Sequence, residues 1–162
     1  MADYYIMFSV LIERISDEEL QWFRDELARG EKILAEEDEP KRLELMEELQ
    51  KDYEDADPDY WPDFRFDTRD AEKEEARPCW VWLYSEGNGI LDHAVRIIER
   101  WLAKFRPNEA VGFEWSASCS KPRTDAYGGG AVYITASETK WMTTWDWIQE
   151  RETERREELE KQ

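Results

Sequence analysis

The chain opens on Tyr4-Tyr5-Ile6-Met7-Phe8-Ser9-Val10-Leu11-Ile12, an apolar run rich in aromatic and β-branched residues that predicts a well-covered strand. Ser16-Asp17-Glu18-Glu19 has the spacing of a capping box, in which the serine hydroxyl and the glutamate three residues on satisfy each other's backbone amides. A helix follows from it, burying Leu20, Phe23, Leu27 and Leu34. Pro40 permits a second helix start, and Leu43, Met46, Leu49 and Tyr53 form its apolar stripe, surrounded by Glu44, Glu47, Glu48 and Asp52. Residues 54–77 read as a long connection held to the body by Tyr60, Trp61, Phe64 and Phe66.

Trp80-Val81-Trp82-Leu83-Tyr84 predicts a strand ended by Glu86-Gly87-Asn88-Gly89. Leu91, Val95, Ile98, Leu102 and Phe105 recur at helical spacing and stop before Pro107. Val111, Phe113, Trp115, Ala117 and Cys119 alternate with Gly112, Glu114, Ser116 and Ser118, the pattern of a strand with one buried and one largely polar face. Residues 120–130 read as a loop, and Ala131–Thr135 as the returning strand. A last helix, capped by Thr135 or Ser137, is expected to bury Trp141, Trp145 and Ile148. Its end, 149–162, is charged on all sides, so it is solvated or waiting for a partner.

The order β–α–α–β–α–β–β–α predicts a single α+β domain over 1–162: a mainly antiparallel sheet of about four strands, covered by helices on one face. The segment 16–77 would be an acidic helical insertion and loop, and 149–162 a polar C-terminal helical tail.

Charge sharpens this picture. The 162 residues carry 40 acids against 22 bases, a formal charge of −18. Residues 1–77 hold 26 acids and 11 bases, net −15, whereas 78–136 hold six of each. Nine Trp, seven Tyr and six Phe demand burial, so this is a folded domain with an acidic surface rather than a disordered tail. No apolar run approaches the ~20 residues of a membrane span and no signal-peptide pattern opens the chain, so a cytoplasmic protein is expected. Direct nucleic-acid binding is disfavoured by the charge, and a zinc site by a total of two Cys and one His. Cys79 and Cys119 read as reduced, half-buried thiols; a disulfide would require their strands to be neighbours.

The stretch Val111-Gly112-Phe113-Glu114-Trp115, Cys119-Ser120-Lys121-Pro122-Arg123, Tyr127-Gly128-Gly129-Gly130-Ala131-Val132, Trp141 and Trp145-Asp146-Trp147 resembles a family of uncharacterised small acidic proteins encoded by bacterial phages, plasmids and other mobile elements. The resemblance covers about the last third of the chain. It implies a setting, conflict between mobile elements and host defences, and brings no catalytic residues.

Carboxylates three or four residues apart on a helix stand roughly 5–6 Å apart, comparable to the phosphates of a nucleic-acid strand. A rigid row of them can occupy the basic groove of a nucleic-acid-binding protein. The residues for this are Glu36, Glu37, Asp38, Glu39, Glu44, Glu47, Glu48, Asp52, Glu54, Asp55, Asp57, Asp59 and Asp63, with Trp61 as an exposed aromatic anchor. Acidic helix faces are as a rule merely solvated; the concentration of charge in one half and the mobile-element resemblance weigh against that here. The expected function is a non-enzymatic inhibitor of a host nucleic-acid-handling defence complex, of anti-CRISPR or anti-restriction type, needing no cofactor or metal and touching no membrane. Homodimerisation is a further possibility.

The alternative is a small module that grips a protein or an anionic ligand. It would use the polar sheet face and the loop around Lys121, Arg123, Asp125 and Tyr127 beside three glycines. That loop is no P-loop, because the Gly-Lys-Ser/Thr core is missing and a strand follows. Its glycines equally suit a hairpin with positive φ or a bulge. His93, with Arg96, Arg100 and Lys104, reads as a surface residue of a basic helix stripe that can pair with the acidic insertion, and otherwise as the natural general base. Asp55, Asp57 and Asp59 resemble half a calcium loop without its glycine and closing glutamate. Trp80, Trp82, Trp101, Trp115, Trp141 and Trp145 fit core or half-buried positions; Trp147, like Trp61, fits an exposed anchor.

Overall fold

A computed structural model describes residues 3–71, 77–87, 89–121 and 127–161. In chain order these form β1 (Tyr4–Ile15), α1 (Asp17–Leu27), α2 (Arg29–Leu34), α3 (Glu39–Asp52), β2 (Arg65–Arg69), β3 (Cys79–Gly87), α4 (Leu91–Phe105), β4 (Ala110–Cys119), β5 (Gly128–Thr135), β6 (Thr139–Thr143) and α5 (Thr144–Glu160). The architecture is α+β, as the pattern predicts, but the antiparallel sheet has six strands in the order β2-β3-β1-β4-β5-β6 rather than about four. The two extra strands are its edges. β2 comes from the expected connection and β6 from the expected start of the last helix.

β1 is central. Phe8, Val10 and Ile12 point into the core, and a bulge at Arg14, whose φ is +58°, skips one residue so that Ile15 also turns inward. Val81 and Leu83 of β3 and Val132 and Ile134 of β5 share that face. Leu20, Phe23 and Leu27 of α1 and Ile97, Ile98, Trp101 and Leu102 of α4 cover it. Phe23 meets the Trp101 ring at 5.7 Å. The capping box forms as predicted: Ser16 Oγ accepts from the Glu19 amide at 3.2 Å and Glu19 Oε2 from the Ser16 amide at 2.7 Å. Glu19 is itself buried and receives Arg106 Nε at 2.7 Å and Trp101 Nε1 at 3.2 Å.

The segment 16–77 is inserted between two hydrogen-bonded neighbours, β1 and β3, yet it is part of the body: Leu49, Tyr53, Ala56, Trp61 and Phe64 join the same core cluster. Leu20, Phe23, Leu27, Met46, Leu49 and Tyr53 pack inward as their spacing predicts, and two positions differ. Ile33 is buried in place of Leu34, which is exposed, and Leu45 packs where Leu43 was expected.

The opposite face of the sheet carries Tyr5, Met7, Ser9 and Leu11 of β1 in register with Trp82, Tyr84 and Glu86 of β3, and with Ser116 and Ser118 of β4. Trp82 stacks on Tyr84 at 4.1 Å and donates to Ser9 Oγ at 2.8 Å. The β4 side of this face is polar as expected, while the β1–β3 side is aromatic. Cys119 pairs with Tyr4 and Cys79 with Ile15, at opposite ends of β1. Eleven strand residues span roughly 35 Å, so the two thiols cannot form an intramolecular disulfide; both are free and buried.

The last helix departs most from expectation. Trp141 lies on β6 and is 44% exposed, and α5 buries none of its side chains, Trp145 and Ile148 included. No described helix is long and apolar enough to cross a membrane.

Candidate functional site

The acidic residues divide into two groups. Glu37 and Asp38 before α3, Glu39, Glu44, Glu47 and Glu48 on it, and Glu54, Asp55, Asp57 and Asp59 after it are exposed. The turn that carries the last group is ordered locally: Asp57 Oδ1 accepts from the Asp59 amide at 3.0 Å, and Asp55 takes a φ of +59°. Glu36 is half-buried and pairs with Lys41 at 2.6 Å; that ammonium holds its carboxyl below the ordinary range.

The second group faces inward, and here the structure corrects the list of surface acids. Asp52 lies 2.7 Å from Arg29 Nη1 and 2.5 Å from Arg100 Nη1. Burial pushes its pKa up, but the two guanidiniums outweigh burial and the net shift is downward. Asp63 contacts His93 Nδ1 at 2.9 Å, and burial, only partly offset by that histidine, raises its pKa. Trp61 is 5% exposed: it packs on Tyr53 at 4.3 Å and donates its indole N–H to the Glu26 carbonyl at 2.9 Å. It is therefore no surface anchor; Tyr60, at 71% exposure, is the aromatic that the acidic turn presents.

Glu26 carries no signal in the sequence, being one of many acids on amphipathic helices. In the fold it is a hub. Tyr53 donates its hydroxyl to Glu26 Oε2 at 2.7 Å, Arg29 Nη1 lies 3.2 Å from the same oxygen, and Arg100 Nη2 lies 3.5 Å from Oε1. Arg100 and Arg29 also sit over the Tyr53 ring, 5.1 and 5.8 Å from its centroid. Burial first, and the Glu26 charge second, hold the Tyr53 hydroxyl protonated well above the ordinary phenol range. The basic stripe on α4 thus links to the acidic segment, as its sequence allowed: Arg96 Nε also donates to the Asp52 carbonyl at 3.1 Å.

His93 is buried, not a surface residue, since α4 turns that side of its stripe under the 54–63 segment. Its Nε2 donates to the Glu54 carbonyl at 2.7 Å, and Nδ1 is hydrogen-bonded to Asp63 Oδ2 at 2.9 Å. Both ring nitrogens are thereby engaged. A cleft of about 390 Å³ lies beside it, lined by Lys51, Glu54, Asp92, Arg96, Glu99 and Trp141, a mixed-charge set. Among the described residues no group of three or more His, Cys, Asp or Glu side chains is placed to hold a metal ion.

Of the alternative loop site, Lys121 and Tyr127 are exposed, and Arg123 and Asp125 lie outside the described residues. Gly128, Gly129 and Gly130 belong to β5 rather than to a loop, pairing with Ala117, Ser116 and Trp115. No protein-family model, curated protein or solved structure matches the chain.

Proposed function

We propose that the protein is a non-enzymatic inhibitor that occupies the basic nucleic-acid channel of a host defence complex, of the CRISPR-effector or restriction-enzyme kind. The observation that carries this reading is the arrangement of charge around α3. Glu44, Glu47 and Glu48 lie exposed on one rigid helix, with Glu37 and Asp38 before it and Asp55, Asp57 and Asp59 after it. Arg29, Arg100 and His93 meanwhile turn inward onto Glu26, Asp52 and Asp63. The two guanidiniums offset the carboxylates of Glu26 and Asp52 behind that surface. Association would be steered by charge and would weaken with salt, with Tyr60 as the desolvated contact.

The test is capture from bacterial lysate on the immobilised protein at low salt, with and without Glu44→Lys, Glu47→Lys and Glu48→Lys combined. Nucleic-acid-binding proteins should elute stepwise as salt rises and be absent from the triple variant. A folded triple variant that captures the same proteins removes this surface from consideration.

The aromatic side of the open sheet face favours a second reading, a protein-binding module that uses Met7, Leu11, Trp82 and Tyr84, with acids that serve solubility alone. In that case capture survives high salt and is lost in Leu11→Glu.

A further inference from the structure

Helix α5 runs for 17 residues without burying one side chain. Helices of this length draw most of their stability from packing rather than propensity. Its own supports are a Thr143 cap, whose hydroxyl accepts from the Asp146 amide at 3.0 Å, and the exposed ion pairs Arg151–Glu154 at 2.6 Å and Arg155–Glu158 at 3.2 Å. Trp145, Ile148 and Leu159 are nevertheless 66%, 44% and 53% exposed. Together with Glu152 and Arg155 they alternate at spacings of three and four residues, the a and d positions of a heptad repeat. One seam of the helix therefore reads Trp, Ile, Glu, Arg, Leu.

We propose that this seam is a self-association site at which two copies of the chain pair their α5 helices antiparallel. The charges select the occupant and the direction. In a parallel pair each residue meets its own copy, so Glu152 faces Glu152 and Arg155 faces Arg155. In an antiparallel pair centred between 152 and 155, Glu152 of one copy faces Arg155 of the other and Arg155 faces Glu152. The same register brings Ile148 onto Leu159, twice by symmetry. It also carries Trp145 to within one residue of Lys161 of the second copy, a pairing suited to cation–π contact. Shifting the helices by one heptad sets Glu152 against Ile148 and Trp145 against Arg155, and this complementarity is lost. Most of the charge that would oppose a dimer lies elsewhere, −15 of the total −18 being in residues 1–77, although α5 itself holds seven acids against three bases.

The experiment is sedimentation equilibrium on the full chain between about 1 and 200 µM, with Glu152→Arg, Arg155→Glu and the double exchange. The mass should rise from 19.5 kDa towards twice that value. Each single exchange turns two attractive pairs into two repulsive ones and should raise the dissociation constant by about tenfold or more. The double exchange restores both pairs and should return it to within about threefold of the parent. Both positions are exposed, so the melting temperature in dilute solution should stay close to the parent's. Arg155→Glu also gives up the Arg155–Glu158 pair, and the double exchange, which gives it up too, separates that effect from pairing. A monomer at every concentration overturns the proposal. So does a dimer indifferent to Glu152→Arg, the behaviour of association through the open sheet face, or a double exchange that fails to restore pairing.

Discussion

His93 Nδ1 lies 2.9 Å from Asp63 Oδ2, while the other ring nitrogen of His93 donates to the Glu54 carbonyl. This contact joins α4 to both ends of the acidic turn that carries Asp55, Asp57 and Asp59. His93→Ala removes both hydrogen bonds and leaves a partly buried carboxyl without its partner, so it should cost about 2–4 kcal/mol. Asp63→Asn should cost under about 1 kcal/mol, since its amide can donate to Nδ1 while Nε2 keeps the Glu54 carbonyl. Urea unfolding at neutral pH measures both, and a His93→Ala variant as stable as the parent would show that the clamp is not structural.

Acid should weaken the fold through Glu19 and Asp52. For both, burial raises the pKa but is outweighed, by Arg106 and Ser16 at Glu19 and by Arg100 and Arg29 at Asp52, so each folded-state value lies below its ordinary one, 4.5 and 3.8 respectively. Their contribution is present above those ordinary values and is lost as pH falls through the depressed ones. Asp63 has the opposite sign: its folded pKa is raised, so its burial is least costly in acid and becomes costly as pH rises through that value. Arg106→Met should lower stability at neutral pH by about 2–4 kcal/mol. It should also flatten the loss between about pH 5 and pH 2, because Glu19 no longer favours ionisation in the fold. Parallel stability–pH curves for parent and variant would refute this assignment.

The three consecutive glycines of β5 should respond very differently to alanine. At Gly130 a Cβ would run into the Met142 carbonyl of β6, and at Gly129, where φ is +158°, it would lie 2.6 Å from the Trp115 carbonyl of β4. Gly128 has nothing within 4 Å. Gly130→Ala should therefore destabilise by about 2–4 kcal/mol and Gly128→Ala by less than about 0.5 kcal/mol, as read from thermal melts. Equal effects at the two positions would mean that β5 and β6 are not paired in this register.

The tryptophans give a similar contrast. Trp61→Ala empties a core position and breaks a hydrogen bond to Glu26, which predicts a loss of about 3–5 kcal/mol. Trp145→Ala, at a residue 66% exposed, should change the unfolding free energy of the monomer by less than about 0.5 kcal/mol in dilute solution.

Local pattern determined a good deal by itself. The Ser16–Glu19 box, the α4 stripe through Ile98 and Leu102, and the alternation along β4 each involve residues a few positions apart, so the information that builds them lies within one short window. The α+β class followed from their order. The edges did not. Arg65–Arg69 has no apolar alternation, because an edge strand with one open side needs none, and it becomes a strand only when β3 offers its backbone. Thr139–Thr143 was hidden by Trp141 and Trp145, whose spacing also suits a buried helix stripe; β5 supplies the hydrogen bonds that make it a strand, and the helix begins after it.

The candidate site shows the same division. Which residues are acidic, and that they crowd into the first half, is written in the chain. Whether a given acid faces water or a basic side chain depends on what α4 brings to it from 30 to 48 residues away, a distance in sequence that no periodicity spans. Asp52 and Asp63 are drawn inward by Arg100 and His93, and Trp61 by Tyr53 and Glu26, while Glu44, Glu47 and Glu48 remain outside because α3 turns Leu45 and Leu49 to the core. Tertiary packing decided that partition, since a buried charge is tolerated only where an opposite charge or a hydrogen bond already waits for it.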